Sequence, residues 1–126
     1  MVRLMRKRVP HSRPVIGPED ERAVLRVLRS GQLGGGAEVA AFERALERVA
    51  GGGRATAVHT GSAALHLALL GVGVRPGDRV LLPTYVCAAV LNAVRYCGAE
   101  AVLADVDPAT ANLDPDDVRR RLRART

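Results

Sequence analysis

Apolar residues recur along this chain in two rhythms. From Pro18 onward, Val24, Leu25, Val27 and Leu28 fall at helical spacing behind an acidic start of Glu19, Asp20 and Glu21. The acids sit where the helix dipole favours negative charge, Pro18 suits a first turn, and Gly31 is placed to end the helix. "GQLGGGAEV" reads as a connector whose glycines permit positive φ and close approach of backbone to a ligand or partner. A second helix follows in "EVAAFERALERVA", with Val39, Phe42, Leu46 and Val49 on one face, and "GGGR" ends it.

After Arg54 the rhythm changes. "ATAVHT" (55–60) predicts a short strand, and the segment from about Ser62 to Leu70 is apolar nearly all round, which predicts a buried helix. "RPGD" (Arg75 to Asp78) has Pro and Gly where a turn wants them. "RVLLP" lacks polar alternation, as expected of a strand covered on both faces. A helix from about Val86 to Tyr96 is broken by Gly98, and "AEAVLADVD" is a further strand. Asp114 caps a last helix, with Pro115 at its first position and Asp116 and Asp117 in its first turn. Strand–helix alternation of this kind predicts an α/β domain with a largely parallel sheet and right-handed crossovers. The expected organisation is a basic arm over residues 1–17 and a domain over 18–126. About three strands precede the end of the chain, fewer than an ordinary sheet holds, so the sheet is expected to be incomplete.

Composition narrows the class. In 126 residues, 48% are hydrophobic, which fits a globular protein, and only 2% are aromatic, so Ala, Val and Leu must build the core. The net charge of +6 comes almost wholly from arginine clustered at both ends, "MVRLMRKRVPHSRP" and "RRRLRART". No helix-turn-helix, zinc-finger or RNP-like motif accompanies that charge, so solvated basic ends are favoured over a nucleic-acid surface. The basic N-terminus lacks the apolar stretch of a signal peptide, and no apolar run approaches the ~20 residues of a membrane span. Cys87 and Cys97, if both lie on one helix, stand about 15 Å apart, beyond disulfide reach, so a reducing cytoplasm is expected.

Candidate chemistry is sparse. There is no Walker motif and no G-x-G-x-x-G after a strand. His11, His59 and His66 are scattered and share no metal-ligand spacing with the two cysteines, so no metal is expected. His66, on the apolar helix, reads as a hydrogen-bonded core histidine. The best candidate is Thr60-Gly61-Ser62. Gly61 removes the Cβ that would block a phosphate, and Ser62 brings a hydroxyl to a helix start that favours anions. On the residues alone, Ser62 as a plain N-cap stays open beside that reading.

The run "GSAALHLALLGVGVRPGDRVLLPTYVCAAVLNAVRYCGAEAVLADVDP" resembles the DegT/DnrJ/StrS family of pyridoxal-phosphate (PLP) aminotransferases. Upstream, "VLRSGQLGGGAEVAAFERALERVAG" is similar to the family's N-terminal segment. The resemblance spans about residues 15–122 and implies the N-terminal part of a fold-type I large domain, three-layer α/β/α with an incomplete, mostly parallel sheet. It implies that Gly61 and Ser62 bind the cofactor phosphate, with a backbone donor from Ala63. Cys87 stands where the family usually stacks an aromatic residue on the cofactor ring, with Tyr85 two residues earlier, and His59 stands where the family often has a small polar residue. The family moves an amino group, commonly from glutamate, to a keto-sugar nucleotide, and works as homodimers whose sites draw on both subunits. The Gly34–Gly36 connector belongs to the segment that approaches the partner. The family's Schiff-base lysine and its acidic partner for the pyridinium nitrogen come later than Thr126. Lys7, the one lysine, does not match that position, and Asp105 and Asp107 match a structural segment. The chain alone is therefore expected to be inactive. The alternative function is a non-enzymatic module that binds a phosphorylated ligand or complements a lysine-bearing chain.

Overall fold

The helices of the first half form where their ends are capped. In the computed structural model, which describes residues 10–123, α1 spans Pro18–Ser30 and α2 spans Ala37–Val49. Asp20 accepts the Gly17 N–H at 2.8 Å, and Gly31 closes α1 in the left-handed region, where glycine carries no Cβ penalty. After α2, Gly51, Gly52 and Gly53 all take positive φ, and the Gly52 N–H returns to the Glu47 carbonyl. The described residues fall into two compact units, one ending at Ala55 and the other starting at Thr56. Neither α1 nor α2 buries a residue, so the stripes of Val24, Leu25 and Leu28 and of Phe42, Leu46 and Val49 stay open.

The second unit holds α3 (Gly61–Gly71), β1 (Arg79–Pro83), α4 (Ala88–Tyr96), β2 (Glu100–Ala104) and α5 (Pro115–Arg123). β1 and β2 pair in parallel, Arg79 opposite Glu100 through Pro83 opposite Ala104. Parallel neighbours need a crossover, and α4 supplies it, packing on both strands and against α3. The core lies under α4: Leu82, Val94, Cys97 and Ala99 are buried together, flanked by Leu69, Val74, Val80, Val90, Leu91 and Ala101. Fully buried Val94 contributes roughly 1.5–3 kcal/mol by transfer from water. Cys87 and Cys97 sit at opposite ends of α4, and both are free.

Two expectations fail here. Residues 55–60 form no strand, because the two strands of the described sheet pair with each other and this segment lies off their ladder. Nor is α3 buried all round. It packs on α4 and turns Leu69 to the core, but Leu65, Leu67 and Leu70 are 39–50% exposed, since no described element covers them. The other shifts are short. β2 stops at Ala104 rather than Asp107, because the Asp105 N–H goes to a side chain and Val106 bridges antiparallel to Leu113.

That side chain is Asp117, only 5% exposed, which fastens α5 to the end of β2. It accepts the Asp105 N–H at 2.8 Å, Arg121 Nε at 2.6 Å and Arg120 at 3.0 Å. The backbone N–H first, then Arg121, holds its carboxyl well below the usual range, at about 2 instead of 3.8. Asp114 caps α5 as the sequence predicts, accepting the Asp116 N–H, and Arg119 pairs with Asp116. Much of the helix's basic charge is thus met by its own acids.

The turn before β1 fixes the helix end after α4. Asp78 donates its N–H to the Arg75 carbonyl across Pro76 and Gly77, and Gly77 takes φ +92°. Pro76 then packs on Gly98, whose φ is +72° and where a Cβ would lie 2.9 Å from Pro76 Cγ. Gly98→Ala should therefore cost about 2 kcal/mol or more, from both backbone strain and overpacking. Gly71→Ala, with open space around the missing Cβ, should be neutral or stabilising by up to ~1 kcal/mol. Urea unfolding of the two variants checks the pair.

The depressed pKa of Asp117 also sets a pH dependence. Its stabilising contribution is complete above about pH 4 and is lost as the pH falls toward about 2. Urea midpoints across that window should fall more steeply in the wild type than in Asp117→Asn, which has no carboxylate to protonate. Parallel curves would remove Asp117 from the acid response.

Candidate active site

Thr60 sets up the site. Its backbone is extended, its Oγ1 accepts the Ala63 N–H at 3.1 Å, and its carbonyl accepts the Ala64 N–H. A helix start leaves the N–H groups of the cap and of the first three residues without an intrahelical partner; Thr60 Oγ1 takes that of Ala63, and the Ala64 bond is the first regular bond of the helix. Among the described residues no acceptor is found for the N–H groups of Gly61 and Ser62. The cap of α3 is Thr60, which frees the Ser62 hydroxyl from that role. The empty Cβ position of Gly61 meets nothing within 4 Å.

These two residues border an open cavity of about 620 Å³, which Leu65, Ala68, Cys87 and Ala89 also line. The cavity lies against the first turns of both α3 and α4. Cys87 is the residue before α4, in extended conformation, with no side-chain bond to the helix start. Two helix N-termini on one cavity favour an anion there, through their dipoles and their unpaired amides.

The structure brings Gly61, Ser62 and Cys87 together and leaves Ala63 aside, its N–H on Thr60 and its side chain off the lining. Tyr85 is 75% exposed and does not line the cavity. His66 is half-buried and meets Tyr96 edge to face, with ring centroids 5.6 Å apart, and His59 is exposed. Asp107 organises a turn, accepting the Ala109 N–H at 2.7 Å. Lys7 lies outside the described residues. Among the described residues no group of His, Cys, Asp or Glu is arranged to hold a metal ion. Reading the sequence missed Thr60 as the cap, although a threonine just before an apolar helix is the standard signal for one. It also missed Asp117 as a fastening, since an acid in a first turn reads as no more than a dipole partner.

Pyridoxal phosphate fits this arrangement on three counts. Two amides at Gly61 and Ser62 are unclaimed by protein, the glycine leaves its cradle open, and the cavity is large enough for a small ring beside Cys87.

Comparison with known proteins agrees. The chain is 36% identical over 118 residues to the spore coat polysaccharide biosynthesis protein SpsC of Bacillus subtilis, covering 94% of this chain and 30% of that protein. It is 44% identical over 85 residues to GDP-perosamine synthase of Caulobacter vibrioides, covering 68% of this chain and 23% of that protein. The PLP form of Spr1654 from Streptococcus pneumoniae superposes with a TM-score of 0.83 at 28% identity, covering 89% of this chain and 29% of that one. The chain thus spans less than a third of each of these relatives. A fold shared with the PLP form of a solved relative and a sequence profile matched over residues 14–126 agree: this chain belongs to the DegT/DnrJ/EryC1/StrS aminotransferase family.

Proposed function

We propose that this chain is the phosphate-cradling part of a PLP-dependent sugar aminotransferase, one that moves an amino group, commonly from glutamate, to a keto-sugar nucleotide. The observation that carries the reading is the convergence of Gly61, Ser62 and Cys87 on one cavity. When bound, the coenzyme supplies the electron sink for amino transfer. The chain's own residues bind and orient it. The N–H groups of Gly61 and Ser62 and the Ser62 hydroxyl donate to the phosphate, and Cys87 borders the space for the ring.

We read residues 18–126 as one part of the family's large domain and residues 1–17 as its arm. A homodimer, with Gly34–Gly36 in the segment near the partner, accords with the open faces of α1 and α2. Cytoplasmic placement is part of this reading; no described helix is long and apolar enough to cross a membrane. The chain by itself performs no transamination in this view, because the resemblance puts the Schiff-base lysine later in the family's sequence than Thr126. The complementing-module reading keeps one observation in its favour: the partly exposed Leu65, Leu67 and Leu70 of α3 await a cover.

Equilibrium dialysis of the 126-residue chain tests the cradle. PLP should be retained, and pyridoxal, which lacks the phosphate, should bind about tenfold more weakly or worse. Ser62→Ala should weaken PLP binding about tenfold, and Gly61→Val, which fills the cradle, should abolish it. Equal binding of PLP and pyridoxal, or an unaffected Gly61→Val, would overturn the assignment. A transamination rate above background from the chain alone would overturn its inactivity.

A further inference from the structure

The bonds of Asp117 reach further than α5. Its Oδ2 accepts the N–H of Asp105, the residue after β2. The preceding residue, Ala104, is fully buried, and its carbonyl accepts the Thr84 N–H at 2.9 Å. Thr84 is the first residue after β1, and three residues later Cys87 stands on the cavity that Gly61 and Ser62 border. A continuous set of hydrogen bonds and short backbone therefore runs from the Asp117 carboxylate to the lip of the candidate cofactor site.

We propose that Asp117 is a positioning residue for that site: by fixing the end of β2 it fixes where the 84–87 segment leaves β1, and so where Cys87 stands opposite Gly61 and Ser62. The side chain suits the role. It is buried, and both carboxylate oxygens are engaged, Oδ2 by Asp105 and Arg121 and Oδ1 by Arg120. Its arginine partners lie one turn along α5, so the helix itself holds the carboxylate in place. The other acid nearby, Asp114, accepts the Asp116 N–H and lies 4.0 Å from Arg120, leaving the Asp105 amide to Asp117. The functional value of the coupling rests on the cofactor reading of the cavity; the coupling itself does not.

Amide hydrogen exchange and the thiol reactivity of Cys87, measured without cofactor on the full chain, test it separately from that reading. In Asp117→Ala, exchange at Asp105 and at Thr84 should rise about tenfold or more. Cys87 should react several-fold faster with a small disulfide reagent, while exchange at Val94 and the reactivity of buried Cys97 hold steady. Asp117→Asn keeps an acceptor for Asp105 and should give smaller changes of the same sign. It is the variant to read if the alanine variant does not fold. Faster exchange at Asp105 with Thr84 and Cys87 unchanged would reduce Asp117 to a fastening for α5 and overturn the proposal. Loss of PLP binding in the wild type would sink the cofactor reading and leave this coupling standing.

Discussion

The parallel ladder between β1 and β2 is the constraint on which the second unit depends. Parallel strands cannot be joined by a tight turn, so the chain must leave β1, cross over as α4 and return to β2. That return buries Val94 and Cys97 against Leu82 and Ala99, and it requires the sharp exit at Gly98 against Pro76. The ladder continues one bond past the named strands, where Thr84 donates to Ala104. It therefore fixes the direction in which both chain segments leave the sheet at its carboxyl end, the end where open α/β sheets hold their ligands.

The site is a consequence of that exit. α4 begins four residues after Thr84, so the ladder places its first turn, with Cys87 just in front. α3 packs on α4, which places its own first turn beside the same space. Thr60 then decides which amides remain open. It takes the Ala63 N–H with its side chain, and those of Gly61 and Ser62, at the first two helical positions, have no intrahelical acceptor. A serine cap at position 62 would have spent the hydroxyl on the helix instead. Thr60 as the cap thus keeps the Ser62 hydroxyl available to a ligand, as the cofactor reading requires.

What was legible in the sequence was what is decided locally. The Pro18 start and Gly31 stop of α1, the Pro76–Gly77 turn and the Asp114 cap depend on neighbours a few positions away, and β1 showed as a run without polar alternation although its partner is the distant β2. Gly61 and Ser62 stood out as a glycine and a hydroxyl at a helix start, whereas Cys87 entered only through family resemblance. Nothing in residue spacing says that positions 61 and 87 share a cavity. The segment 55–60 was misread because a strand exists only with a partner, and the described ladder offers it none. The cover of α3 was misread for the same reason: an apolar circumference predicts burial, but what buries it is not encoded in the helix. Asp117 was read as a dipole partner because its decisive bond, to Asp105, joins residues twelve positions apart.

The exposed apolar residues of α3 bear on the strength of the cradle. Amide donors aimed into a cavity open to water act through a high dielectric, and the same donors in a closed, dry cavity act far more strongly. Leu65 lines the cavity directly, and its open surface continues along the helix through residues that no described element covers. Leu67 and Leu70 lie about 140–160° round the helix from Leu65 and do not line the cavity, so a cover over them does not by itself close the space in front of Gly61 and Ser62. Only burial of the side that carries Leu65 and Ala68 would exclude water there. Under the cofactor reading, that is the side of α3 whose closure would strengthen the donors.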